Sequence, residues 1–140
     1  MQKNNQLSGK SLLIFRTVFY FCSVYFLFMG TGLVFFPHLL LNGVEGSVVH
    51  PAIIGMLRGA GGAIIPYSLL YILTAREPVN RKWGLYVIAV ANGVAIILDI
   101  CSVLLNEYQW SQAIIDLPVE MVSLFAVFMV WIKIRKDPLN

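Results

Sequence analysis

Four long apolar stretches constrain the fold of this chain more than any other feature of its sequence. They span about residues 11–36, 51–75, 83–105 and 111–134. Each is long enough to cross the hydrocarbon core of a bilayer, for which a helix needs about 20 residues. Backbone polar groups in lipid need internal hydrogen bonds, which a helix supplies within one segment. The sequence therefore predicts an all-α protein, a four-helix transmembrane bundle that forms a single integral membrane domain over residues 1–140.

The low charge content excludes the common classes of soluble protein. Charged residues make up 12% of the chain, whereas soluble domains contain about 25%. The loops between the apolar stretches are short, so they leave no room for a soluble catalytic domain. The first stretch, at about 25 residues, is too long for the apolar region of a secretory signal. We expect it to remain as an uncleaved first span.

Proline and glycine residues predict where the helices end. The first helix should stop at Pro37, because proline cannot continue a helix interior. The second should begin at Pro51, a favoured first helical position, and Pro66 should kink it. Asn42 and Gly43 indicate a loop between these two helices, with room for a short interfacial turn.

Small residues recur along the second helix at spacings of three and four. They are Ala52, Gly55, Gly59 and Ala63. In membrane proteins this pattern lets neighbouring helices approach closely, so we expect this face to serve packing. The glycine-rich segment 59–62 lies inside an apolar helix, so it does not indicate a nucleotide-binding loop.

The basic residues sort to one side of the predicted bundle. Apart from Arg58, every lysine and arginine lies in the N-terminal flank, the second loop or the C-terminal flank. The positive-inside rule therefore predicts that both termini and the second loop are cytoplasmic. Topology also explains the net charge of +3, so nucleic acid is not an expected partner. The residues that set this orientation are Lys3, Lys10, Arg16, Arg76, Arg81, Lys82, Lys133, Arg135 and Lys136.

The sequence gives little support to metal or redox chemistry. Cys22 and Cys101 stand singly in apolar segments, so buried packing is the expected role of both. His38 and His50 flank the first outer loop and can lie at the outer rim of a site. Their spacing matches neither a zinc nor a haem motif, so neither a metal nor another cofactor is expected.

Four ionisable residues are expected inside the membrane near its outer surface. Arg58 lies about 10 Å below the start of the second helix, and Asp99 lies about 9 Å below the end of the third. On the fourth helix, Asp116 and Glu120 lie about 7 and 13 Å below the same surface, and their spacing of four places them on one face. We expect an ion pair between Arg58 and Asp99. Glu120 or Asp116 would supply a second carboxylate, since a guanidinium group can serve two partners.

Other polar residues extend this cluster into two stripes with helical spacing. Both stripes are expected to face the interior of the bundle. They comprise Asn92, Asp99, Ser102 and Asn106 in the third helix, and Gln112, Asp116, Glu120 and Ser123 in the fourth.

The expected cluster carries more negative than positive charge. One arginine facing up to three carboxylates leaves an excess that a bound proton or a bound cation must balance. Burial and like charges both disfavour an ionised carboxyl group, so we expect Glu120, the deeper acid of the fourth helix, to hold a proton near neutral pH. A purely structural role is an equal alternative, in which the buried ion pair fixes the register of the helices.

Two segments resemble a known family. MGTGLVFFP at residues 29–37 and GMLRGAGG at residues 55–62 resemble the DoxX-like group of small four-helix bacterial membrane proteins. The plan of four spans with an arginine in a small-rich second helix is also similar. The resemblance implies a location in the bacterial inner membrane and a role as an accessory or partner subunit of a membrane complex. Some members are linked to redox or thiol handling, for which this chain has no cysteine pair.

The sequence favours a non-catalytic membrane module over an enzyme. We expect a polar pocket centred on Arg58, Asp99 and Glu120 to bind a small molecule, a lipid or a partner subunit. Two alternatives stay open. A proton- or cation-coupled carrier would act as a dimer, because buried membrane acids often mark proton relays. A small membrane enzyme would use Asp99, Asp116 or Glu120 as general acid and base. The expected partners are thus the lipid bilayer, a small-molecule or lipid ligand, and either further copies of the chain or a different membrane subunit.

Overall fold

The computed structural model of the chain describes residues 9–41, 51–105 and 110–136. In these ranges it contains helices and no strand. The predicted all-α bundle with four long helices is confirmed, and each long helix begins and ends within two residues of its predicted bounds. The elements are α1 (Gly9–Phe35), α2 (Pro37–Leu41), α3 (Pro51–Arg76), α4 (Lys82–Leu104) and α5 (Trp110–Lys136).

The four long helices have surfaces suited to lipid. By length and composition, the segments Ser11–Phe35, Pro51–Arg76, Lys82–Leu104 and Ile114–Arg135 can each cross a bilayer. Many of their exposed side chains are large and apolar. Phe28, for example, is 76% exposed. In water so much exposed apolar surface would aggregate, whereas acyl chains solvate it. The chain is therefore an integral, multi-pass membrane protein.

Proline sets the end of α1, as predicted. The single residue Phe36 separates α1 from α2, and its N–H donates to the Gly32 carbonyl at 2.7 Å. Pro37 is fully buried and opens α2, where its missing N–H costs no hydrogen bond. The short turn that the sequence allowed after the first span is thus a helix of five residues.

Successive long helices run in opposite directions. Ser23 of α1 donates its hydroxyl hydrogen to the Ser68 carbonyl of α3 at 2.9 Å. Arg16, two turns earlier in α1, reaches the carbonyl of Ala75 near the end of α3. α1 packs against both α3 and α5, while α4 packs against α5 and, less extensively, against α3. The order around the bundle is therefore α3, α1, α5, α4.

Basic residues gather at one end of the bundle, which we call the basic end. There α1 and α4 begin, and α3 and α5 end. At this end Arg16 donates from Nε to the carbonyl of Ala75 and from Nη2 to the carbonyl of Arg76, both at 3.1 Å. A cation in this position interacts favourably with the partial negative charge at the C-terminus of α3. The opposite end, where α3 and α5 begin, is called the Trp110 end. The basic end is defined by Arg16, Arg76, Arg81, Lys82, Lys133 and Arg135.

The apolar core lies in the half of the bundle toward the basic end. The ring of Phe19 is fully buried, with its centroid 4.1 Å from that of Phe15 and 5.0 Å from that of Tyr71. Lipid solvates apolar side chains as well as protein does, so this packing stabilises the bundle through close van der Waals contact. Cys22 is buried as expected, but Cys101 is exposed on α4, contrary to expectation. The core comprises Phe15, Phe19, Cys22, Tyr71, Ala75, Leu85, Ile88, Ala126, Val127 and Val130.

The close approach of α1 and α3 depends on Gly61. A Cβ at this position would lie 2.6 Å from the Gly30 carbonyl oxygen and 2.8 Å from the Cβ of Leu33, so a larger residue does not fit. The small residues expected to serve packing lie on another face. Gly55 and Gly59 are exposed, and a Cβ at either would meet nothing within 4 Å. Within the described part of the chain, no helix covers that face.

We expect Gly61→Ala to destabilise the bundle by about 1–3 kcal/mol, because an added methyl group in a packed interface forces the surroundings to shift. Thermal unfolding in detergent, followed by helical circular dichroism, measures the effect. Gly32→Ala is the matched control, since a Cβ there meets nothing within 4 Å and alanine favours a helix by up to about 1 kcal/mol. Equal stability of the two variants would contradict the packing role of Gly61.

Candidate functional site

A buried network of polar side chains joins three helices near the middle of α4. The side-chain nitrogen of Asn92, which has two hydrogens to donate, lies 2.7 Å from the Tyr71 hydroxyl oxygen, 2.8 Å from the Ile88 carbonyl oxygen and 3.1 Å from the Ser123 hydroxyl oxygen. The hydroxyl groups of Tyr71 and Ser123 lie 2.7 Å apart, and the Tyr67 hydroxyl lies 3.3 Å from the same amide. We call Tyr67, Tyr71, Asn92 and Ser123 the polar network. Because each bond needs its side chain on the inner face, the network fixes the rotation of α3, α4 and α5.

The inward orientation predicted for the two polar stripes is confirmed where the structure describes them. Asn92, Glu120 and Ser123 are buried, and Asp99 and Asp116 are half-buried. Asn106, by contrast, lies outside the described residues, as does the side chain of Gln112.

Three carboxyl groups gather beside the polar network on the side toward the Trp110 end. Glu120 lies one turn before Ser123 on α5 and is only 7% exposed. The carboxyl groups of Glu120, Asp99 and Asp116 lie close enough to interact electrostatically with one another. Glu120 Oε2 and Asp99 Oδ2 are buried, and neither has a hydrogen-bond partner among the described residues. We call Asp99, Asp116 and Glu120 the acidic cluster.

α1 also contributes to this site, through a tyrosine. The Tyr25 hydroxyl donates to Asp116 Oδ1 and lies 3.1 Å from the Ile115 carbonyl oxygen. From α3, the Tyr67 side chain also lies near Glu120. Neither tyrosine was predicted from the sequence to belong to the site. Tyr25 lies in an aromatic-rich stretch that lipid would tolerate equally well, whereas the four-residue spacing of Tyr67 and Tyr71 within α3 was a usable indication of a polar face.

Arg58 lies away from the acidic cluster, so the prediction of an ion pair between Arg58 and Asp99 is wrong. Arg58 is exposed on α3. The ion pair that does form among the described residues joins Arg81 to Glu77 at 3.6 Å. α3 turns Tyr71 toward Asn92 of α4, and Arg58, thirteen residues before Tyr71, lies about 140° round the helix from that direction. Equal depth in the membrane did not bring the two charges together.

The described residues contain no arrangement that is typical of a metal site. No group of three or more His, Cys, Asp or Glu side chains in these ranges is placed to hold a metal ion. His38 is exposed on α2, at the Trp110 end. His50, the other residue predicted at the rim, lies outside the described residues.

Among the described residues, no side chain of opposite charge pairs with the acidic cluster. An ionised carboxylate only accepts hydrogen bonds, and a buried acceptor without a donor costs about 1–3 kcal/mol, more when it is charged. Tyr25 supplies a donor to Asp116, but Glu120 Oε2 and Asp99 Oδ2 still need one. A cationic group with several N–H donors would satisfy both oxygens and balance the charge.

Apolar grooves also mark the described surface. One, of about 230 Å³, lies between α1 and α5, and Lys133 at its edge donates to the Ser11 hydroxyl. Another, of about 440 Å³, lies between α4 and α5 and is lined by side chains such as Ile100 and Met121. Walls of this kind fit acyl chains, so these grooves belong to the lipid-covered surface.

No known protein family, curated protein or solved structure matches this chain. Its function is therefore inferred from the side chains that the fold brings together.

We expect Asn92→Ala to destabilise the bundle by about 1–3 kcal/mol, because it removes hydrogen bonds between helices, each about 0.6 kcal/mol, and leaves a cavity. The matched control is Asn80→Ala, since Asn80 is exposed in the loop between α3 and α4. Thermal unfolding of both variants in the same detergent measures the difference. If Asn92→Ala unfolds at the same temperature as Asn80→Ala, the polar network does not hold the helices together.

Proposed function

We propose that this chain is a non-catalytic membrane module whose acidic cluster binds a cationic group. The observation that carries the proposal is the Glu120 carboxyl group. It is 7% exposed, its Oε2 is buried without a hydrogen-bond partner among the described residues, and it interacts electrostatically with Asp99 and Asp116. An ionisable side chain at this depth costs about 2.5–3.5 kcal/mol and is by default a functional candidate.

The different burial of the three carboxyl groups supports a binding site that a ligand enters from one side. Glu120 is buried, whereas Asp99 and Asp116 are half-buried, so the inner carboxyl group is reached past the outer two. A guanidinium or ammonium group presents three to five N–H donors, which matches the two unpartnered oxygens and the acceptors that remain. The sequence-based hypothesis of a pocket built around Arg58 is thereby replaced by a pocket that receives its cation from elsewhere.

The proposed orientation places the acidic cluster in the outer half of the membrane. Both termini and the loop between α3 and α4 would then be cytoplasmic, because the described lysines and arginines other than Arg58 lie at the basic end. With the DoxX-like resemblance, this orientation supports a location in the bacterial inner membrane and a role as an accessory or partner subunit.

Cysteine labelling tests this orientation in intact cells. In a Cys101→Ala background, Trp110→Cys should react with a membrane-impermeant maleimide, while Asn80→Cys should react only after the membrane is permeabilised. Trp110 and Asn80 are both exposed, at opposite ends of the bundle, and Cys22 is buried. The reverse pattern of labelling would place the acidic cluster on the cytoplasmic side.

A proton- or cation-coupled carrier is the second candidate, and the buried carboxyl group of Glu120 is the observation that favours it. A carrier would lose a pH-driven flux in liposomes when Glu120 is changed to Gln with folding intact. The enzyme hypothesis is weaker, because Arg58, the group available to stabilise developing negative charge, lies outside the acidic cluster.

Binding of a small organic cation tests the proposed function directly. Methylguanidinium should raise the unfolding temperature of the protein in a saturable way, relative to sodium at equal ionic strength. A hundredfold excess over Kd stabilises a protein by about 2.7 kcal/mol. The effect should vanish in Asp99→Asn and Glu120→Gln, and persist in the control Glu77→Gln, which changes an exposed carboxylate of the loop.

The same measurement is made on Arg58→Leu, so that no arginine at this depth competes for the cluster. Two results would refute the proposed function. One is the absence of any stabilisation in both the natural chain and Arg58→Leu. The other is equal stabilisation in Glu120→Gln and Glu77→Gln.

A further inference from the structure

Arg58 presents a charge to the surroundings of the bundle at a depth where lipid solvates charge poorly. It lies about 10 Å below the start of α3, it is exposed, and it takes no part in the ion pair formed among the described residues. A cation in this position costs several kcal/mol unless it finds a partner. The described part of the chain does not supply that partner.

The helix around Arg58 has an open face made of glycine. Gly55, Gly59 and Gly62 follow one another at spacings of four and three, which places them on one side of α3. All three are exposed, and a Cβ at any of them would meet nothing within 4 Å. The contact with α1 uses Gly61 instead. We call Gly55, Gly59 and Gly62 the glycine face, and it lets another helix approach closely.

The acidic cluster lies at the same depth and has the opposite charge. Asp99 lies about 8 Å below the end of α4, at the same end of the bundle as Arg58. It is half-buried, and its Oδ2 has no hydrogen-bond partner among the described residues. One copy of the chain thus has an exposed arginine without an ion-pair partner, and carboxyl oxygens without a hydrogen-bond donor, among its described residues. The arginine of one copy could therefore supply the positive charge and the N–H donors that the carboxyl oxygens of another copy lack.

We propose that two copies of this chain associate through the glycine face, and that Arg58 of each copy binds the acidic cluster of the other at Asp99. The proposal rests on the proposed function, since it names the cationic group as the guanidinium of a second copy. In a closed two-fold dimer the pair forms twice. A guanidinium group can bond two carboxylates at once, so Asp116 or Glu120 can share it.

A phospholipid phosphate is the competing partner for Arg58. A phosphate would neutralise the guanidinium group, but it would leave the acidic cluster without a cation. Binding of a phosphate would also leave the exposed glycine face unexplained. Reciprocal pairing between two copies accounts for the outward arginine, the glycine face and the unpartnered oxygens together.

The test measures the dimer dissociation constant in liposomes by single-molecule photobleaching of labelled protein. Gly59→Leu should weaken the dimer about tenfold or more, because its side chain fills the space that a second helix needs. Gly32→Leu is the matched control. A Cβ at either glycine meets nothing within 4 Å, so both variants should fold, but only Gly59 lies on the glycine face.

A double-mutant cycle then identifies the pair. Arg58→Leu and Asp99→Asn should each weaken the dimer about tenfold, and the double variant should be no weaker than either single variant, since both remove one interaction. Additive effects would overturn the pairing. A dimer constant unchanged by Arg58→Leu, as expected if lipid phosphate holds the arginine, would also overturn it, as would a monomeric natural chain at every density.

The two proposals fail in different ways. If Gly59→Leu is monomeric and methylguanidinium stabilises it more than the natural chain, the freed cluster accepts the small cation and both proposals stand. If Gly59→Leu leaves the dimer constant unchanged while methylguanidinium still stabilises the protein, the acidic cluster binds a cation but the second copy does not supply it. If methylguanidinium stabilises neither the natural chain nor Arg58→Leu, the proposed function fails whatever the oligomeric state.

Discussion

Hydrogen bonds between side chains hold the helices of this protein in one rotation. Lipid solvates an apolar side chain as well as a protein interior does, so apolar contacts between membrane helices discriminate poorly among rotations. Asn92 discriminates strongly, because its amide reaches Tyr71 of α3 and Ser123 of α5 from one position on α4. The polar network therefore decides which face of each helix is inside. The placement of the acidic cluster follows from that decision.

Once Ser123 faces inward, Glu120 has to face inward too, because residues three apart share a helix face. Asp116, four residues further toward the Trp110 end, follows on the same face and meets Tyr25 of α1. The bundle thus carries three carboxyl groups into a poorly solvated place as a consequence of the interaction that holds it together. Two of their oxygens, Glu120 Oε2 and Asp99 Oδ2, have no hydrogen-bond partner among the described residues. The proposed cationic partner would offset the free-energy cost of burying them.

The glycines of α3 lie on two different faces of the helix, of which only one contacts α1. Gly61 serves the contact with α1, while Gly55 and Gly59 stay open on another face. The sequence contains glycines at both sets of positions, and their spacing does not say which set meets a helix of the same chain. Arg58 shows the same ambiguity, since its depth matched that of Asp99 although its direction did not. Cys101 was expected to be buried but is exposed, because its place in an apolar segment does not determine the direction of its side chain.

Sequence alone determined the four spans, the turn at Pro37, and the depth of every charged residue in the described helices. These properties depend on distance along one helix, and a rise of about 1.5 Å per residue converts residue number directly into depth. The stripes containing Asn92 and Glu120 were also predictable, because several polar residues in phase define an inner face. Only the tertiary structure decided that Tyr25 joins the acidic cluster and that Arg58 leaves it. A single residue's direction depends on which neighbours its helix packs against, and that is set by contacts between helices rather than by spacing within one.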